Sequence, residues 1–88
     1  MITFTATVMR KQDDLPRYVI VSPDDVPEGA ENAFQAVVSL NDGPPFLRNV
    51  RPWGKTSRAF FFNLTADQCR SSDVDTGDAV KVRITPHG

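Results

Sequence analysis

Hydrophobic and polar positions alternate from the second residue onward. Ile2, Phe4, Ala6 and Val8 share one parity, and Thr3, Thr5, Thr7 and Met9 take the other. A period of two with β-branched residues on the wet side predicts a strand with one face on a core. Arg10 to Pro16 is polar and closes on proline, which predicts a loop. Tyr18-Val19-Ile20-Val21 is a short apolar run and predicts a second strand covered on both sides. Ser22-Pro23-Asp24-Asp25 then carries a helix-start signal: a capping hydroxyl, a proline suited to the first turn, and acids at the positive end. Pro27 and Gly29 limit that helix to a turn or two.

Phe34 to Leu40 predicts a third strand, and Asn41-Asp42-Gly43 a hairpin turn lengthened by Pro44-Pro45. Phe46 to Val50 predicts a fourth strand, followed by an Arg51-Pro52-Trp53-Gly54 loop. In the fifth, Ala59 to Leu64, Phe60, Phe61 and Phe62 are consecutive. Neighbours on a strand point to opposite faces, so both faces of this one need cover. A closed barrel or a partner chain supplies it; an open sheet with one wet face does not. Thr65 and Gln68 have the spacing of a capping box for a short helix ending near Ser71-Ser72. Val74 is expected to return to the core. Thr76-Gly77-Asp78 predicts a tight turn in which Gly77 takes positive φ. In the last strand Val80, Val82 and Ile84 point inward, and Lys81, Arg83 and Thr85 outward.

Strand, capped short helix, loop and strand occur in that order over Tyr18–Leu40 and again over Phe60–Ile84. Two such units with two further strands predict an all-β fold with two short helices. The architecture expected is a small pseudo-twofold β-barrel of about six strands. Core candidates are Phe4, Val19, Val21, Val38, Phe60, Phe62, Val80 and Val82.

Eighty-eight residues, 40% hydrophobic and 24% charged, support one globular domain. No apolar run approaches the roughly 18 residues needed to span a bilayer. The start of the chain lacks the layout of a signal peptide, so a cytoplasmic location and no membrane partner are expected. The lone Cys69 excludes an internal disulfide. On a short helix four residues after Thr65, it suits a buried structural role better than that of a nucleophile, because the only histidine, His87, lies in the tail.

The net charge of −1 does not suit a protein devoted to gripping a polyanion. Its distribution is uneven, however. Residues 43–66 contain no acid, yet Arg48, Arg51, Lys55 and Arg58 all fall there, with Trp53 among them. Guanidinium groups hold phosphate or carboxylate through paired hydrogen bonds, and an indole offers a stacking face. These five residues are the candidate ligand-binding set. Arg48 and Arg51 differ in strand parity and would point to opposite faces. The competing reading is a solvated loop with Trp53 folded over the barrel mouth.

No catalytic set converges, and no metal site, cofactor motif or phosphate-binding loop is present in the sequence. Asp73, Asp75 and Asp78 around Gly77 fail the spacing of a calcium loop, and turn chemistry accounts for them. Helix capping likewise accounts for Asp24 and Asp25.

Phe61-Phe62-Asn63-Leu64-Thr65, the helix around Cys69-Arg70, and Val74 through Gly77-Asp78 to Val82 resemble the C-terminal half of a family of uncharacterised bacterial domains. The Asn41-x-Gly43 turn, the Pro52-x-Gly54 loop and the opening Phe4-x-Ala6 extend the resemblance over nearly the whole chain. It implies a double-split β-barrel, often followed by an OmpD-associated, bacteriocin-protection-like helical domain that has no counterpart in these residues. The family has no agreed activity. Its fold is similar to AbrB-type regulators and MazE-type antitoxins, in which two chains swap hairpins and some bind DNA.

The expectation is a small non-catalytic binding module, monomeric or homodimeric. It would contact an anionic ligand or protein partner through residues 48–58. A nucleic-acid-binding regulator of the swapped-hairpin type is a second reading. A small-molecule-binding protein or enzyme, with a pocket between barrel and helix, is a third. An interaction role through exposed sheet edges is a fourth.

Overall fold

The computed structural model describes residues 1–26, 30, 32–54 and 58–87. Six strands account for most of its regular structure: β1 (Ile2–Thr7), β2 (Arg17–Val21), β3 (Phe34–Leu40), β4 (Phe46–Pro52), β5 (Phe60–Leu64) and β6 (Ala79–Pro86). Among the described residues, a 3₁₀ turn, Pro23–Asp25, follows β2, and a short helix, α1 (Ala66–Ser71), follows β5. The strands are antiparallel neighbours in the order β1-β6-β3-β4-β5-β2. Met9 and Tyr18 join the two ends, each N–H donating to the other's carbonyl at 2.9 and 2.8 Å. The result is a nearly closed all-β barrel.

The pairing obeys a pseudo-twofold rule. Exchanging β1 with β4, β2 with β5 and β3 with β6 maps β1–β6 onto β4–β3 and β4–β5 onto the β1–β2 bridge. The β3–β6 and β2–β5 pairs map onto themselves. Each half is therefore three strands with a short helical element before the third. The two further strands, β1 and β4, head the two repeats. The first helical element is a 3₁₀ turn, not an α-helix. Ser22 Oγ accepts weakly, at 3.4 Å, from Asp24 N–H, and Val26 is already extended. In the second, Thr65 and Gln68 form the complete capping box.

The core is built from alternating residues of five strands. Val19, Val21, Val38, Phe60, Phe62, Val80 and Val82 are buried as expected, together with Val8, Leu40, Val50, Leu64 and Ile84. Phe4 is only half-buried, because β1 lies at the end of the strand order and pairs along Ile2–Thr7 with β6 alone. Val74 returns to the core, and Gly77 takes φ +91°. β4 runs two residues beyond the predicted strand. Arg51 and Pro52 leave β3 and pair with Phe61 and Phe60 of β5, so they belong to the ladder and not to a loop.

Asn41 and Asp42 have φ of 52° and 61°, and Gly43 N–H donates to Leu40 C=O at 2.8 Å. Two successive positive φ values define the hairpin turn whose twist matches the flanking strands. Gly43 is required for a different reason. A Cβ there would stand 3.0 Å from the Leu40 carbonyl oxygen and 3.1 Å from Oγ of the buried Ser72 at the end of α1. Overpacking of this kind costs about 1–3 kcal/mol, against about 0.4–1 kcal/mol gained by stiffening the unfolded chain. Gly43→Ala is therefore expected to lower stability by about 1 kcal/mol in urea unfolding. An unchanged or higher midpoint would show that the hairpin and the end of α1 do not meet this closely.

Candidate functional site

Strand parity decides where the candidate residues go. On β5, Phe60 and Phe62 face the core, and Phe61 faces out. Arg51 lies directly opposite Phe61 and shares that outer face. Its guanidinium carbon sits 5.0 Å from the centroid of the phenyl ring. Trp53 follows two residues later, anchored by its N–H donating to Ala59 C=O at 2.9 Å. The indole meets Phe61 edge-on at 5.1 Å and stacks on Tyr18 at 5.4 Å and 23°. Tyr18, opposite Asn63 on β2, also has the outward parity. Trp53 thus lies on the outer wall and not over the barrel mouth. Its place is fixed by the need to cover Phe61.

The 10–16 segment completes the wall. Arg10 closes it on itself, with Nε donating to Leu15 C=O at 2.8 Å and a second guanidinium nitrogen to Asp13 C=O. This brings the Lys11 ammonium to 4.9 Å from the Trp53 ring. Lys11, Leu15, Pro16, Tyr18, Trp53, Phe61 and Asn63 line a shallow, mainly apolar recess of about 170 Å³. A polar depression of about 340 Å³ lies on the same side of β3 and β4, lined by Gln35, Leu47, Arg48, Asn49 and Arg51. Arg51 borders both.

The structure gathers only part of the predicted set. Arg51 and Trp53 come together, and Arg58 is exposed one residue before Ala59, whose carbonyl anchors Trp53. Arg48 lies opposite the buried Ala36 with core-facing parity, and its Nε is buried without a hydrogen-bond partner. Parity thus sets Arg48 and Arg51 on opposite faces of β4, although both reach the polar depression that also takes in Gln35 and Asn49. Lys55 lies outside the described residues. Sequence reasoning missed Tyr18, Phe61 and Lys11. Parity alone marks Phe61 as outward, but bringing Tyr18 and Lys11 beside it takes the β2–β5 register and the fold of the 10–16 segment.

Charge pairing separates this wall from the rest of the surface. Arg17 pairs with Asp75 at 2.8 Å, and Arg70 with Asp67. Lys81 and Arg83 both reach Asp42, at 2.6 and 3.2 Å. Among the described residues, Lys11, Arg48, Arg51 and Arg58 form no ion pair. Of these, Arg48, Arg51 and Arg58 fall in the 43–66 stretch, which has no acidic residue of its own.

Elsewhere the chemistry is structural. Cys69 is buried, and desolvation raises its thiol pKa above the ordinary value, which suits an inert core position. Asp75 is held below the usual carboxylate range by the Thr76 N–H and by Arg17, and Asp78 accepts from Asp75 N–H at 2.8 Å. These acids serve the turn. Among the described residues, no cluster of three or more His, Cys, Asp or Glu is placed to hold a metal ion. Among them, too, no helix is long and apolar enough to cross a membrane.

No family model, curated protein or solved structure matches the chain.

The paired cations yield a pH prediction. The Lys81 hydrogen bond holds the Asp42 carboxyl below its ordinary range, with the Lys81 and Arg83 charges acting in the same direction. The folded-state pKa lies below the unfolded value of about 3.9, so the pair stabilises the fold above that value. The contribution is lost as pH falls through the folded-state pKa. Urea unfolding of the wild type and Asp42→Asn should differ near neutrality and converge in acid. A gap that persists or widens in acid would contradict the pairing.

Proposed function

We propose that the chain is a small non-catalytic binding module that contacts an anionic ligand or partner through the wall carrying Arg51, Trp53 and Arg58. One observation carries the reading. Cations elsewhere in the described structure are matched to carboxylates, whereas those on and beside this wall are not. An unmatched guanidinium keeps its full set of donors for an incoming phosphate or carboxylate. Arg51 is also oriented by the Phe61 ring, so less side-chain freedom is lost on binding. The aromatic floor beside it gives a ligand an apolar surface that a solvated loop would lack.

The resemblance to the uncharacterised bacterial double-split-barrel domains belongs to the same reading, as does a bacterial cytoplasmic setting. The nearly closed barrel and the single, buried cysteine are consistent with both.

Inorganic tripolyphosphate is a suitable probe. Titrated into isotopically labelled protein, it is expected to shift amides around Arg51, Trp53 and Arg58 and to leave those around Lys81 and Arg83 in place. Reversing both charges in Arg51→Glu/Arg58→Glu should weaken the response roughly tenfold at moderate salt. Shifts that centre on β6, or that survive the double reversal unchanged, would remove the proposal.

A further inference from the structure

We infer that the recess between Tyr18, Trp53 and Phe61 accepts one unpaired base of a single-stranded nucleic acid, with Lys11, Arg51 and Arg58 meeting the adjoining phosphates. The inference rests on the anion-binding reading above and specifies its ligand.

Size is the first argument. About 170 Å³ falls below the range of roughly 300–1,000 Å³ typical of pockets for whole small molecules. It suits a single flat ring. The lining is the second. Tyr18, Trp53 and Phe61 provide ring surfaces, and stacking on such surfaces tolerates every base. The third is the position of charge. Lys11 forms one side of the recess, and the two arginines lie outside its lining. Lys11 stands over the indole, Arg51 over the phenyl ring, and Arg58 beside the backbone that anchors Trp53. An apolar floor edged by unmatched cations complements a ligand that is flat and uncharged at its centre and anionic at its edge.

Lys11 gives the site a means of opening. It belongs to an exposed loop, and a cation–π contact in water is weak. Swinging its ammonium off the indole bares the ring and leaves the charge at the rim, where a backbone phosphate follows the base. A base in a duplex is already paired and stacked, so it cannot enter. A proline-rich peptide could use an aromatic recess, but it would leave the unmatched cations without a role.

The low net charge sets the strength. Three cations on a chain of net charge −1 make binding weak and only moderately salt-dependent. With about 0.7 counterions released per phosphate on a single strand, the slope of log affinity against log salt should be about −2.

Trp53 is the only tryptophan, so its emission reports the site directly. The probe is an oligothymidylate of about ten nucleotides, within the roughly 4–16 spanned by comparable single-strand sites. It should quench Trp53 with that slope. Lys11→Gln, in an exposed loop where folding is not at stake, should reduce the slope by about 0.7. A blunt duplex should leave the emission unchanged. Absence of quenching by the single strand, equal quenching by the duplex, or quenching by an oligoproline peptide instead would overturn the inference. If tripolyphosphate still shifts the amides around Arg51 while the oligonucleotide fails, the base-binding inference alone falls. If both fail, the anion-binding reading falls with it.

Discussion

Three consecutive phenylalanines on one strand impose the constraint from which the rest follows. Alternation sends Phe60 and Phe62 to one face of β5 and Phe61 to the other. Full burial of a phenyl ring is worth about 1.5–3 kcal/mol, so neither face is stable against water. The inner face is satisfied by closing six strands around a common core. The outer face is satisfied differently, by folding Trp53 back over Phe61 and laying Tyr18 against the indole. The second solution brings Arg51 and Lys11 against an aromatic floor. The candidate site is thus a consequence of shielding one outward ring.

Symmetry shows what is particular to this wall. The two halves share strand pairing, but the two seams related by the pseudo-twofold axis differ. At one, β4 continues past Val50 and pairs with β5 through Arg51 and Pro52. At the other, β1 ends at Thr7 and only the Met9–Tyr18 bridge spans the gap. The richer seam carries the arginine–phenyl pair, and the tryptophan leaves from its end. The poorer seam leads into the 10–16 segment, which delivers Lys11 to the same aromatic group. Both seams therefore supply the wall, one through pairing and the other through a loop.

Much of the architecture was legible because it rests on local signals. Alternation located β1 and β6, and the Asn41-Asp42-Gly43 turn fixed the β3–β4 hairpin. The Thr65–Gln68 capping box marked the start of α1. The end of β4 departs from the sequence reading for a non-local reason. Arg51-Pro52 reads as a loop because nothing in it announces a partner 8 to 10 residues on. The Ser22-Pro23-Asp24-Asp25 signal was strong, yet it yields only a 3₁₀ turn, since Val26 turns back to the extended conformation at once. For the candidate site, composition singles out Arg51, Trp53 and Arg58, and parity puts Arg48 and Arg51 on opposite faces of β4, although one depression takes in both. Tyr18 and Lys11 escaped notice because they reach the wall from more than thirty residues away, through β2–β5 register and the self-closed 10–16 loop.

The central claim is that Trp53 holds its place by covering Phe61. A double-mutant cycle in urea unfolding, using Trp53→Leu, Phe61→Leu and the pair, measures that contact directly. The account predicts a coupling of about 0.5–1.5 kcal/mol between the two rings. Effects that simply add, within the roughly 0.3–0.5 kcal/mol expected of independent sites, would contradict it.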